Sequence, residues 1–189
     1  LALDTPLPRE ALLQGLLPVS GPPLQHALRP GRPLLVLFLC PHCPFVKHVE
    51  AEIGRLQEDW GDRAAILAIC SNSTVTHPQD GPEGMAAQAR CNGWRFPYLH
   101  DPSQSVARAF QAACTPDPFL FDAEGHLAYR GQLDPSRPGN GLPCDGRDVR
   151  AAMAALLEGR TPSAEQTPSI GCNIKWHPAT GAAPAGDGA

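Results

Sequence analysis

Six apolar residues in succession, Leu34-Leu35-Val36-Leu37-Phe38-Leu39, run directly into Cys40-Pro41-His42-Cys43 and then Pro44. An apolar run of this length without alternation reads as a strand buried on both faces, as in a parallel or mixed sheet. From Phe45 the period changes. Phe45, Val46, Val49, Ile53, Leu56 and Trp60 recur at roughly helical spacing, with Glu50, Glu52, Arg55 and Glu58 between them. The spacing predicts a helix from about Pro44 to Trp60, ending at Gly61. The context of strand, C-x-x-C and helix turns a weak four-residue pattern into a redox expectation. Unpaired backbone N–H groups and the positive end of the dipole at a helix start stabilise a thiolate, and the thiolate is the reactive species. Two intervening residues let the sulfurs meet in a small ring across the first helical turn.

Downstream, Ala64 to Cys70 reads as a second buried strand, which completes a βαβ unit of right-handed crossover. Ser71 to Gly81 is a polar loop at that strand's C-terminal end, and Pro82 to Arg90 is a helix with proline at its start. Phe96 to Leu99 predicts a short strand. Ser103 to Ala112 predicts a helix with Val106, Ala109 and Phe110 on one face. Phe119 to Phe121 and Leu127 to Arg130 read as a strand pair about the turn Asp122-Ala123-Glu124-Gly125. After a Pro/Gly loop from Arg130 to Gly146, Arg147 to Glu158 predicts the last amphipathic helix, stopped at Gly159. The first 33 residues, punctuated by Ser20-Gly21-Pro22-Pro23 and Arg29-Pro30-Gly31-Arg32-Pro33, read as loop with one short strand or helical turn. Residues 161–176 read as an irregular tail packed on a single domain of residues 1–160, and 177–189 as a disordered C-terminus.

A chain of 189 residues with a net charge of −4 and 42% apolar residues is long enough for one buried core, and its charge argues against a nucleic-acid partner. No stretch approaches the ~20 apolar residues of a membrane span. The seven cysteines, Cys40, Cys43, Cys70, Cys91, Cys114, Cys144 and Cys172, are odd in number and irregularly spaced, which fits poorly with a secreted disulfide framework. A reduced, cytoplasmic setting is expected, with a removed leader left open because the chain starts at Leu1.

The order β-α-β-α-(α)-β-β-α with C-x-x-C at the first helix resembles the thioredoxin fold with an inserted helix. Thr115-Pro116 stands where members of that superfamily carry a cis-proline facing the cysteines. Five segments, Cys40 to Val49, Cys114 to Asp122, Tyr129 to Gln132, Ser136 to Asn140 and Pro168 to Trp176, are similar to a peroxiredoxin-like branch of the AhpC/TSA group that carries a thioredoxin-type C-x-x-C. The resemblance implies an α/β thioredoxin-like fold, a central mixed β-sheet flanked by helices, with peroxiredoxin-like extensions. Its departures are specific. Leu39 replaces the tryptophan that precedes the first cysteine of thioredoxin, and the preceding strand lacks thioredoxin's buried aspartate. The tetrad is identical to that of the disulfide oxidant DsbA. Aligned on peroxiredoxins, Cys43 falls at the peroxidatic position, but the Pro and Thr of Pro-x-x-x-Thr-x-x-Cys are replaced by Leu39 and Cys40. Pro116 takes the place of the Arg that stabilises the thiolate.

The expected catalytic set is therefore Cys40, Cys43, His42, Thr115 and Pro116. Cys40 is expected to be the exposed, low-pKa nucleophile, with Cys43 more buried and resolving. His42 would stabilise the reduced form. Lys47 reads as a solvated helix charge, Cys114 as a small buried hydrophobe, and Asp134, Arg137 and Asn140 as a turn network. Cys172, in the tail, is a candidate third redox cysteine. No cofactor is expected. A zinc site would want a second paired motif beside the single C-x-x-C, so no metal is expected either. The function anticipated is thiol–disulfide oxidoreduction on a protein or small-molecule disulfide or dithiol. The alternatives are a thiol peroxidase with Cys43 peroxidatic and a non-enzymatic redox sensor. Oligomeric state is left open.

Overall fold

The computed structural model describes residues 1–178. In chain order the elements are α1 (Arg9–Leu13), β1 (Leu17–Ser20), α2 (Leu24–Ala27), β2 (Leu34–Phe38), α3 (Pro44–Trp60), β3 (Ala65–Cys70), α4 (Pro82–Cys91), β4 (Tyr98–His100), α5 (Ser105–Phe110), β5 (Cys114–Thr115), β6 (Asp117–Phe121), β7 (Leu127–Arg130), α6 (Arg147–Leu157) and β8 (Cys172–Asn173). Six strands form one mixed sheet in the order β1-β4-β3-β2-β6-β7. β2 pairs parallel with β3 and antiparallel with β6, so the apolar run is the middle of the sheet. This is the thioredoxin-like α/β architecture: a central mixed sheet with helices on both faces.

The period of two along β2 explains the layering. Leu35, Leu37 and Leu39 join the core beneath α3, α4 and α6, with Val46, Val49, Ile53, Met85, Val149 and Met153. Leu34, Val36 and Phe38 point the other way, into a core with Leu12 of α1, Ala27 of α2 and Phe110 of α5. Phe38, Phe110 and Phe119 meet edge to face there, with ring centroids 5.4–5.8 Å apart. With side chains buried on both faces, β2 has no room for a polar residue.

The structure departs from the sequence reading at three places. The first 33 residues form two helices and the edge strand β1, paired to β4, because Leu12 and Ala27 have a core to enter. Gly21 makes this approach possible: with φ +78°, a Cβ there would stand 2.1 Å from the Phe96 carbonyl oxygen. β4 starts at Tyr98 rather than Phe96, since Trp94, Phe96 and Tyr98 pack as an aromatic cluster against the α3 side. Finally, the tail contains β8, paired antiparallel with β5. His177 hydrogen-bonds to Gln104, Ser73 and Pro102, and the residues expected to be disordered lie, from 179 onward, outside the described residues. Among the described residues no helix is long and apolar enough to cross a membrane.

Candidate active site

Four segments meet at the C-terminal end of β2 and β3: the Cys40-Pro41-His42-Cys43 turn into α3, the loop 71–81 after β3, the turn between β5 and β6, and the tail strand β8. The Thr115–Pro116 bond is cis, and Thr115 faces both cysteines. Cys40 Sγ lies 3.3 Å from Thr115 Oγ1, and Cys43 Sγ lies 3.2 Å from the Thr115 carbonyl oxygen. The expected position of this turn against the pair is thus observed.

The expected exposure of Cys40 is not. Both cysteines are fully buried, so Cys40 is no exposed nucleophile. The helix begins at Pro44 with Cys43 as its N-cap residue, so Cys43 is the cysteine adjoining its free N–H groups. The Cys43 sulfur is held down to about 4 by the hydrogen bond from Cys40, then by those from Cys172, Thr115 and the Val46 backbone N–H, against the opposing cost of burial. Cys40 is pushed far up, first by its hydrogen bond to Cys43, then by burial and the nearby Asp80 charge. Of the two, Cys43 is the more readily ionised.

The loop after β3 supplies a residue that sequence reasoning did not single out. Asp80, fully buried at the end of a single 3₁₀ turn (Pro78–Asp80), accepts from the His42 backbone N–H at 3.0 Å, from His42 Nδ1 at 2.5 Å and from Asn72 Nδ2 at 2.8 Å. A carboxylate accepts only, so Nδ1 carries the proton. That nitrogen stands 3.8 Å from Cys40 Sγ, and His77 stacks on the ring at 5.0 Å. The buried acid that the preceding strand lacks therefore comes from the neighbouring loop. The usable signal was topological: loops at the carboxyl ends of parallel strands are where such sheets place their sites.

The other cysteines separate cleanly. Cys172 Sγ lies 2.8 Å from Cys43 Sγ, whereas Cys114 turns its thiol to the Pro116 carbonyl. Burial first, then Asp117, pushes Cys114 up to about 12, and burial does the same to Cys70. Asp134 is the hub of a turn, accepting from the backbone N–H groups of Ser136, Asp145 and Gly146. Arg137 and Asn140 complete that network, and Lys47 is exposed. Cys40 Sγ, His42 Nδ1 and the Asp80 carboxylate come within 4.8 Å of one another. These are ligand types, but here their hydrogen-bonding capacity is used on each other and on Asn72.

Sheet order, cis-proline turn and a cysteine pair at the first long helix together define a protein of the thioredoxin-like superfamily. Within it, the chain belongs to the AhpC/TSA family, whose pattern it matches over residues 24–130. No curated protein matches it. It is similar to an uncharacterized conserved protein from Geobacillus kaustophilus (42% identity over 94% of each chain, TM-score 0.84). It is also similar to a hypothetical protein from Sinorhizobium meliloti (38% identity, 95% of this chain and 97% of that one, TM-score 0.84). A secreted disulfide oxidoreductase of Mycobacterium tuberculosis, described as homologous to E. coli DsbE, shares the fold at 18% identity over 78% of this chain and 98% of its own, with a TM-score of 0.59.

Proposed function

We propose that this chain is a thiol–disulfide oxidoreductase of the peroxiredoxin-like, C-x-x-C-bearing branch of the AhpC/TSA family, working through the Cys40–Cys43 couple. The observation that carries the reading is the placement of the couple: two buried cysteines at the start of the first long helix, with Thr115 against both. Cys43, the N-cap residue of α3, is the cysteine whose ionisation is favoured. In the reduced form Cys43 is the more acidic of the two thiols. In the oxidised form Cys40 and Cys43 are joined, two electrons and two protons lower. Stabilising the thiolate favours the dithiol, so the disulfide is the better oxidant. The reduction potential is then expected above the thioredoxin value of about −270 mV, toward the ~−120 mV of strong oxidants. His42, tied to Asp80, positions the turn between the two sulfurs.

A thiol peroxidase centred on Cys43 is the second reading. Against it, the positions that hold a peroxide in peroxiredoxins are Leu39, Cys40 and Pro116 here, and each lost donor of that kind costs roughly 10²–10³ in rate. Equilibration with glutathione buffers, read by acid-quenched peptide mapping, tests the first reading. A Cys40–Cys43 disulfide should form at a defined potential and vanish in Cys40→Ser and in Cys43→Ser. Rapid, saturable consumption of hydrogen peroxide with dithiothreitol, abolished by Cys43→Ser, would instead make the peroxidase reading primary.

A further inference from the structure

Of the three clustered thiols, only Cys172 reaches the surface. Cys40 and Cys43 are fully buried, whereas Cys172 is partly exposed. Its position is fixed from both sides. Upstream, Gln132 N–H donates to the Thr167 carbonyl, and Ser169 Oγ donates to the Pro116 carbonyl at 2.6 Å. At Cys172 itself β8 pairs with β5, Thr115 opposite Cys172. Downstream, Ile174 N–H donates to Ala113, Lys175 N–H to Asn72 Oδ1, and Ser73 N–H to the Lys175 carbonyl. Gly171 lets the strand come this close, since a Cβ there would stand 2.0 Å from the Thr115 carbonyl oxygen. A tail held only by apolar packing would not need this number of directed bonds. Beside the thiol the apolar Ile170 stands more than half exposed.

We propose that Cys172 is the exchange thiol through which partner dithiols reach the buried Cys40–Cys43 disulfide. The proposal rests on the oxidoreductase reading and adds to it the route. In the oxidised protein the Cys172 sulfur attacks Cys43 Sγ. The Cys43–Cys172 bond forms, the Cys40–Cys43 bond breaks, and Cys40 leaves with the electron pair and takes up the proton Cys172 gives away. The disulfide now has one sulfur at the surface. A partner thiolate attacks Cys172 Sγ, and Cys43 departs as the thiolate its surroundings stabilise, a good leaving group. The partner's second thiolate then attacks its own sulfur in the mixed disulfide and releases Cys172. The partner has lost two electrons to the protein, which ends with three reduced cysteines. Burial and the neighbouring Cys43 raise Cys172 to about 11 in the reduced state. Once Cys43 is in a disulfide, its share of that shift is gone.

A reduced synthetic peptide carrying two cysteines serves as probe, mixed with the pre-oxidised full chain in single turnover. In Cys172→Ser, peptide oxidation should slow about tenfold or more, since a pre-positioned sulfur is replaced by a bimolecular encounter with a buried bond. The Cys40–Cys43 disulfide should still form in that variant. A second measurement reads the exchange step alone. Cys40→Ser, treated with oxidised glutathione and mapped after acid quench, should hold a Cys43–Cys172 disulfide. Peptide oxidation by Cys172→Ser at the wild-type rate, or glutathione left on Cys43 with Cys172 free, would overturn the route while leaving the Cys40–Cys43 reading standing. A wild-type chain that forms no Cys40–Cys43 disulfide would overturn both.

Discussion

Asp80 holds His42 by two atoms at once, its backbone N–H at 3.0 Å and its Nδ1 at 2.5 Å, across 38 residues of sequence. The first bond fixes the turn between the cysteines and the second fixes the ring that leans toward Cys40. Asn72 supplies a third donor, so the buried charge is satisfied and its removal orphans several groups at once. Asp80→Ala should destabilise the protein by about 1–3 kcal/mol, the usual cost of leaving buried partners unmet, measured by urea unfolding. Asp80→Asn keeps the shape and removes the charge. Because that charge disfavours a thiolate on Cys40, alkylation of Cys40 by iodoacetamide, read by peptide mapping, should be faster in Asp80→Asn than in the wild type. An unchanged Cys40 alkylation rate would show that Asp80 acts on geometry alone.

The placement of the thiolate on Cys43 has a pH signature. An ordinary thiol ionises near about 8.5, whereas Cys43 is held to about 4. Between these values the native protein carries a thiolate where an unfolded chain carries a thiol. Its ultraviolet thiolate absorbance should therefore persist through neutral pH and fall as pH drops through about 4. Thiolate-dependent exchange should follow the same curve, flat above the midpoint and declining about tenfold per pH unit below it. Cys43→Ser should abolish the signal. Cys40→Ala removes the largest stabilising contact and should move the midpoint upward. A low-pH thiolate that survives in Cys43→Ser and disappears in Cys40→Ser would return the nucleophile to Cys40.

Glu52 is a second buried carboxylate that the helical pattern treats as one of the polar residues between apolar ones. It is 1% exposed, joins α3 to α6 through Arg150 Nη2 at 2.6 Å, and pairs within α3 with Arg55 Nε at 2.6 Å. Arg55 is mostly solvated and contributes little. Arg150 is the partner that matters, since it also reaches Asp59 and the Asp145 carbonyl. Glu52→Gln should cost about 2 kcal/mol, the range for a charge-assisted hydrogen bond, without moving the Cys43 titration. A shift in that titration would mean that the helix pair transmits to the active site.

Periodicity carried most of the fold, and for a plain reason. Buried strands such as Leu34–Phe38 and amphipathic helices such as α3 write their environment into every residue, so their patterns are dense. The cysteine pair and Thr115–Pro116 were legible because a junction and a resemblance both pointed at them. Asp80 and Asn72 were not, because their role depends on a contact between segments 38 residues apart, and a polar loop looks the same whether it is solvated or folded over a site. Which of the two cysteines caps the helix was not legible, for a local reason. Both sit at the helix start in sequence, and only the three-dimensional turn shows that the N-cap, with its free N–H groups, is Cys43.

Gly171 should be the most sensitive residue of the tail. It is two positions after Ser169, which donates to the Pro116 carbonyl, and immediately before Cys172, which touches Cys43. A Cβ at Gly171 would meet backbone, the Thr115 carbonyl oxygen at 2.0 Å, and backbone at a strand pair cannot rotate away as a side-chain tip can. Gly171→Ala must therefore either lift β8 from β5 or push the Thr115–Pro116 turn off the cysteines. The cost should be about 1–3 kcal/mol, as for overpacking elsewhere. If β8 lifts, the Cys172 thiol withdraws and the Cys43 ionisation moves upward from about 4, because one of its donors is gone. Ser169→Ala is the control: it loses one hydrogen bond, about 1 kcal/mol, with no clash, and should leave the Cys43 midpoint in place. Thermal unfolding and the thiolate titration, measured together on both variants, read the two effects separately. A Gly171→Ala protein with unchanged midpoint and unchanged unfolding temperature would mean that the tail is not clamped on Thr115, and the close contact between Cys43 and Cys172 would lose its structural basis.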